Sequence, residues 1–354
     1  MKLKTDLIAL IAVILIAAVV VGEYYTYAGT PDRDASASLN GDEISYSVSS
    51  DGSDEYRAVL TDTGGYASAT QVYIWEDPLY DDNYSDACSM ADGAEPYYME
   101  ESYYAEQILE YLEIRGFTNA SVIGSDELET IVSDTSNASG IAIIVISYEL
   151  PYTVYDGTDS SSILTWIQNG GTLYWMSSEI GRFYSDADEN LVEVEGNTAA
   201  LFVGSEVTVN CADSNKDSYA AEGYADGKEL TDALQLRTGS TCFAIGTEGL
   251  STCLQLGYAK DGYSSITFAG AGSGSVCVIG GGFDIDQLDD LAQLIVAGIT
   301  PGTELLTVEE GKVTRETVEG TIDLTSYNYT QSQLRLYIYL GGTYANYGEA
   351  FSFE

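Results

Sequence analysis

Seven consecutive residues, Ile141–Ser147 (IAIIVIS), limit the fold more than any other stretch of the chain. They are apolar up to the last residue and largely β-branched, the pattern of a strand buried on both faces. Such a strand needs cover above and below, and its neighbours are built to supply it. Gln71–Glu76 (QVYIWE) reads as a second strand. Tyr98–Arg115 follows with helical spacing, placing Tyr104, Ile108, Leu109, Tyr111 and Leu112 on one side, and Gly116 stops it. Ala120–Ile123 is a short strand, and Ser125–Ser133 a helix with Ser125 and Asp126 at its start. Beyond the loop ELPYTVYDGTD come a helix at Ser161–Asn169, Gly170-Gly171, and a strand at Thr172–Met176. Strand runs return at Thr241–Ile245, Cys253–Tyr258, Ser264–Ala269 and Val276–Ile279, and Gln287–Ala297 is an amphipathic helix.

Alternating strands and helices with short connections predict right-handed crossovers, hence an α/β fold: a mostly parallel, flavodoxin-like sheet with helices on both faces. Ligands of such sheets bind outside the carboxyl ends of the strands. The ends of the chain read differently. Glu43–Val48 and Tyr56–Thr61 are strand-like runs split by a Ser/Asp/Gly turn, and residues 304–354 hold further β runs without helices. A small β layer made from both ends is the expectation. The division expected is 1–28 cytoplasmic stub and anchor, 29–41 linker, 42–70 N-terminal strands, 71–300 α/β domain and 301–354 C-terminal β segment.

The anchor is read from Leu7–Val21, fifteen residues without a polar side chain. As a helix that run spans only about 23 Å, but extended through Ala28 it reaches about 33 Å, enough for a bilayer core. Tyr24, Tyr25 and Tyr27 fall where an interfacial aromatic belt lies, and Lys2 and Lys4 precede the run. A single-pass cell-membrane protein is expected, N-terminus cytoplasmic and bulk extracytoplasmic. The alternative is a cleaved signal peptide, against which the absence of a good A-x-A site counts.

Charge narrows function by exclusion. Thirteen basic against fifty-six acidic residues give a net charge of −43, spread along the chain, which repels nucleic acid. Histidine is absent, removing the commonest general base and metal ligand together. No cofactor is implied. Sequons at Asn83, Asn119, Asn137 and Asn328 fit an exported glycoprotein. Five cysteines leave one unpaired within a monomer, and Cys242 and Cys253, flanking a Gly-containing turn, are the expected disulfide.

Two stretches together carry a family likeness: IAIIVISYELPYTVYDGTDSSSILTWIQNGGTLYWMSSEIG, and GSGSVCVIGGGFDID with the helix after it. In order of elements, residues 71–300 resemble the class I glutamine amidotransferase-like superfamily, specifically its non-catalytic, membrane-anchored extracytoplasmic relatives. The resemblance implies a nucleophile on the turn after the strand that follows Gly170-Gly171. That turn is Met176-Ser177-Ser178-Glu179, so Ser177 or Ser178 stands where active members carry cysteine. The histidine and its acidic partner would fall near Gly280–Asp286, where Asp284 and Asp286 occur but no histidine. A hydroxyl without a base in reach is not a nucleophile.

The expected function is therefore a catalytically inactive, membrane-anchored surface scaffold binding a protein or glycan. Its contacts would come from Asp77, Tyr80, Asp81, Tyr148, Tyr152, Ser177, Ser178, Glu179 and Asp284. The alternatives are an exported hydrolase using Ser177 or Ser178, and a structural envelope component. Asp213-x-Asn215-x-Asp217 has the alternating oxygens of a calcium loop, but lacks the glycine and glutamate such a loop needs. A solvated acidic loop is the simpler reading. Twenty-nine tyrosines against eight phenylalanines suit either an interface or a chain using tyrosine as its general aromatic.

Overall fold

In a computed structural model of the chain, the structure describes residues 31–76, 101–176, 180–203, 209–211, 227–236, 243–246, 249–250, 252–257, 263–264, 266–279, 285–341 and 347–353. The first strands are β1 (Arg33–Asn40), β2 (Glu43–Asp62) and β3 (Gln71–Trp75). After helix α1 (Glu101–Ile114) come β4 (Ala120–Ile123), α2 (Ser125–Ser133) and β5 (Ile141–Val145). Next are α3 (Ser162–Gln168), β6 (Thr172–Trp175), β7 (Phe183–Ser185), β8 (Leu191–Glu193), α4 (Ala199–Val203) and β9 (Val209–Cys211). Helix α5 (Lys228–Leu234) precedes β10 (Phe243–Gly246), β11 (Cys253–Gln255), β12 (Tyr263–Ser264), β13 (Ile266–Ala271) and β14 (Gly274–Ile279). Helix α6 (Ile285–Val296) leads to β15 (Glu304–Asp323), β16 (Leu334–Leu340) and β17 (Tyr347–Ser352).

A seven-stranded sheet runs β11-β13-β14-β6-β5-β3-β4. The span from β14 to β4 is parallel, and β13 and β11 add antiparallel strands at one edge. Side chains alternate between two cores with period two. Ala142, Ile144, Tyr174, Cys277 and Ile279 point into one core, shared with Ile108 and Leu112 of α1 and Leu288, Leu291 and Ile295 of α6. Ile143, Val145, Leu173, Trp175, Val276 and Val278 point into the other, with Leu128, Ile163, Trp166 and Phe202 from α2, α3 and α4. Burial on both faces explains the unbroken apolar run at β5.

The second large sheet is five-stranded and antiparallel. Its ladder between β2 and β15 runs from Asp62–Glu304 to Glu43–Asp323, with register shifts near Leu305/Thr307 and Thr314/Glu316. β1 pairs with one half of β2, β16 with the other, and β17 with β16. Ala35, Ile44, Val48, Leu60, Val313, Leu336 and Ile338 form a third core inside it. β16 joins the sheets: Leu336 and Ile338 face this third core, while Tyr337 and Tyr339 enter the α1/α6 core. At the same junction a buried ion pair links Arg115, after α1, to Asp289 of α6 at 2.5 Å. Tyrosine has a specific use in this sheet. Tyr46 and Tyr56 stand opposite Gly320 and Gly311, and a Cβ at Gly320 would lie 2.2 Å from the Tyr46 ring. The rings occupy the space a neighbouring side chain would need.

This architecture corrects the expected fold class. The chain is built mainly from strands, and among the described residues nine of thirteen strand pairings are antiparallel, so a mostly parallel flavodoxin-like or amidotransferase-like sheet does not describe it. The anticipated minor β layer is instead a sheet with two 20-residue strands and its own core. Two local signals misled. Arg33–Asn40 reads as a linker because its side chains are small, yet it pairs with Glu43–Ser50 along its whole length. SSDGSD reads as a turn but lies inside β2, where Arg33 donates to Asp54 at 2.8 and 3.1 Å and Ser50 donates to it at 2.5 Å. The membrane expectation is corrected as well. Among the described residues no helix is long and apolar enough to cross a membrane, and the run Leu7–Val21 with its extension to Ala28 lies outside them, so single-pass anchoring and a membrane location lack support.

Candidate functional site

The parallel strands β3, β5, β6 and β14 end at one edge of the seven-stranded sheet, and the segment leaving β5 is the longest one described there. The chain continues from β5 through Ile146 and Ser147, then turns at Tyr148, whose φ of 64° is left-handed. That conformation is uncommon for a residue with a side chain. Beyond the turn Tyr148 enters the α1/α6 core, Leu150 enters the opposite core, and Glu149 is trapped between them at 0 % exposure.

Ser185, at the end of β7, ties this loop down. Its N–H donates to the Leu150 carbonyl at 3.0 Å, and its own carbonyl accepts from the Tyr152 N–H at 2.8 Å. Its hydroxyl donates to Oε2 of Glu149 in a short hydrogen bond. The other carboxyl oxygen, Oε1, has no hydrogen-bond partner among the described residues. Burial in apolar surroundings penalises the carboxylate and pushes the Glu149 pKa up to about 8, only partly opposed by the Ser185 hydroxyl. Glu149 is therefore mostly uncharged near neutrality. The β7–β8 hairpin carrying Ser185 is closed by Asp186, whose Oδ1 accepts the N–H groups of Asp188 and Asn190 at 2.9 Å each. These bonds hold the Asp186 carboxyl below the usual carboxylate range. Under the loop, the Tyr155 hydroxyl donates to Gly181 O at 2.8 Å, and its ring lies 5.3 Å from that of Phe202. Above the loop, Tyr152 is 44 % exposed.

Of the expected contact residues, Tyr148 and Tyr152 meet in this loop, the first buried and the second open to solvent. Asp77, Tyr80, Asp81, Ser177, Ser178, Glu179 and Asp284 lie outside the described residues, as do Asp213, Asn215, Asp217, Asn83 and Cys242. Cys253 is half-buried, and its expected partner Cys242 lies outside the described residues. Asn119, Asn137 and Asn328 are exposed. Among the described residues no group of three or more acidic or thiol side chains could hold a metal ion. Sequence reasoning passed over Glu149 and Ser185. A lone glutamate directly after an uncharged strand was a usable signal for the first, whereas Ser185 sits in a stretch with no readable period.

No family model and no curated protein matches the chain. Solved structures similar to it include a β-galactosidase from Rahnella sp. R3, at 15 % identity and TM-score 0.40 over 64 % of this chain and 31 % of that one. A β-galactosidase from Bacillus circulans sp. alkalophilus is similar at 15 % identity and TM-score 0.40, over 77 % and 36 %. The exo-β-1,4-mannosidase Op5Man5 from Opitutaceae bacterium strain TAV5 follows at 13 % and 0.37, over 66 % and 36 %. The chain spans about a third of the length of each. These are glycosidases, not amidotransferases. The expected kinship with the glutamine amidotransferase-like superfamily, and the inactive surface scaffold built on it, are accordingly set aside. Likeness at these TM-scores transfers neither a fold nor an activity to this chain.

Proposed function

We propose that the chain binds a small ligand at the carboxyl edge of β5, with Tyr152 as a contact residue and Glu149 as a positioning residue beneath it. The observation that carries this reading is the concentration of unfavourable features in one loop. A left-handed non-glycine residue costs about 1–3 kcal/mol, and a buried polar atom without a partner costs about 1–3 kcal/mol more. Tyr148 and Glu149 bring both costs to adjacent positions, at the edge where open α/β sheets place their ligands. The Tyr148 ring is held by the α1/α6 core, but an apolar residue in place of Glu149 would avoid the second cost. The aromatic face of Tyr152 suits a ligand with a flat side and a hydrogen-bonding rim. A proton-transfer role for Glu149 is the second reading. A carboxyl titrating near 8 matches what a general acid needs at neutral pH, although it reaches a substrate only if the Ser185 strap lifts.

A thermal-shift screen of small-metabolite classes on the native chain tests the proposal. Ligands of this site stabilise the native chain and lose most of that effect in Tyr152→Ala, whose own melting temperature stays unchanged. Ligands that stabilise Tyr152→Ala as well as the native chain, or an absence of any hit, contradict it. Turnover of a hit by the native chain and not by Glu149→Gln establishes the second reading.

A further inference from the structure

The five-stranded sheet holds a cavity of about 470 Å³ on the face turned toward α5, far from Glu149 in sequence and built from other strands. Its floor follows from strand register. Tyr339 of β16, Arg57 of β2 and Glu310 of β15 stand in one cross-strand row, and Glu55 stands opposite Lys312 in the next row on that face. Gly341, whose N–H donates to Glu55 O at 2.9 Å, leaves this second row open on its other side. Gln235, in the left-handed conformation that ends α5, forms part of the wall.

The frame around the cavity is tied. Arg57 donates to the Asp232 carbonyl at 3.1 Å and pairs with Glu310 at 3.1 Å, and the Tyr339 hydroxyl donates to the Ala233 carbonyl at 2.7 Å. Two exposed charges that line the cavity, Glu55 and Lys312, are not. Among the described basic residues Arg33, Arg57, Arg115, Arg182 and Lys228 each hold a carboxylate and Arg335 donates to backbone carbonyls, whereas Lys312 and the exposed Arg315 form no ion pair. Lys312 is directly opposite Glu55, yet the two side chains form no ion pair with each other, and neither is hydrogen-bonded or paired elsewhere among the described residues. The cavity therefore offers one uncommitted ammonium and one uncommitted carboxylate from facing strands, with an amide beside them.

We propose that this cavity binds a small zwitterion of the α-amino acid class, its carboxylate at Lys312 and Gln235 and its ammonium at Glu55. A purely anionic or purely cationic ligand would leave one of the two charges unmatched, and the surrounding negative field would oppose the anion further. Calorimetric titration of the full chain with glycine and L-glutamine tests this, with their N-acetyl and carboxamide derivatives and acetate alongside. Saturable binding of the free amino acids is expected, weakened about tenfold or more by either blocking group, by Lys312→Gln and by Glu55→Gln. Both substituted side chains are exposed, so the fold is retained, and Tyr152→Ala leaves the binding intact. Three results would overturn the proposal: no saturable binding of the amino acids, acetate binding as tightly as glycine, or affinities unchanged in both charge variants.

Discussion

The two large sheets bury their apolar residues in opposite ways. Strands of the seven-stranded sheet are three to six residues long, and β5, covered on both faces, carries no polar side chain. In the five-stranded sheet β2 and β15 run 20 residues each and alternate core-facing Ile44, Val48, Leu60, Val313 and Ile322 with serines, threonines and charges. The first design puts its polar chemistry at the strand ends, in loops such as the one holding Glu149. The second keeps polar side chains along the strands, which is why its cavity has a charged floor. The place of each candidate site follows from how its sheet is covered.

The largest effect is expected where the sheets meet. Arg115→Met leaves Asp289 buried without its cation and costs about 3–5 kcal/mol, whereas the double change with Asp289→Leu recovers most of it. Urea unfolding measures both. If the single change costs well under 1 kcal/mol, the ion pair between α1 and α6 does not stabilise this junction. A smaller effect sharpens the contrast within the antiparallel sheet. Gly320→Val forces a side chain against the Tyr46 ring and costs about 1–3 kcal/mol, part of which Tyr46→Ala relieves. Independent, additive costs for the two changes would show that the ring does not fill the glycine's space.

How much was legible follows the same division. Ile141–Val145 could be read because burial on both faces leaves an unbroken apolar signature. Arg33–Asn40 could not, since a strand of small residues with one exposed face looks like a linker. Nor could the continuity of β2 through Asp51-Gly52-Ser53, where the Arg33–Asp54 pair and Ser50 stabilise an extended path that local composition disfavours. Tyr148 and Tyr152 are expected as contact residues from their position after β5. Glu149 was missed because its burial is a tertiary fact, set by Ser185 arriving from a three-residue strand. The uncommitted charges of Lys312 and Glu55 were invisible for the same reason: only register brings them opposite each other.

The central claim is that the loop after β5 holds an uncharged acid at a cost, and the pH dependence of stability measures that cost directly. The folded-state pKa of Glu149 rises from 4.5 to about 8, so the folded chain retains a proton that the unfolded chain releases. Its contribution is fully favourable below about 4.5, declines as pH rises, and is lost above about 8. Glu149→Gln keeps the shape and cannot ionise. Between about pH 5 and about pH 8 the Gln variant should gain stability relative to the native chain by a few kcal/mol. A difference between the two proteins that stays constant across that range would contradict the account.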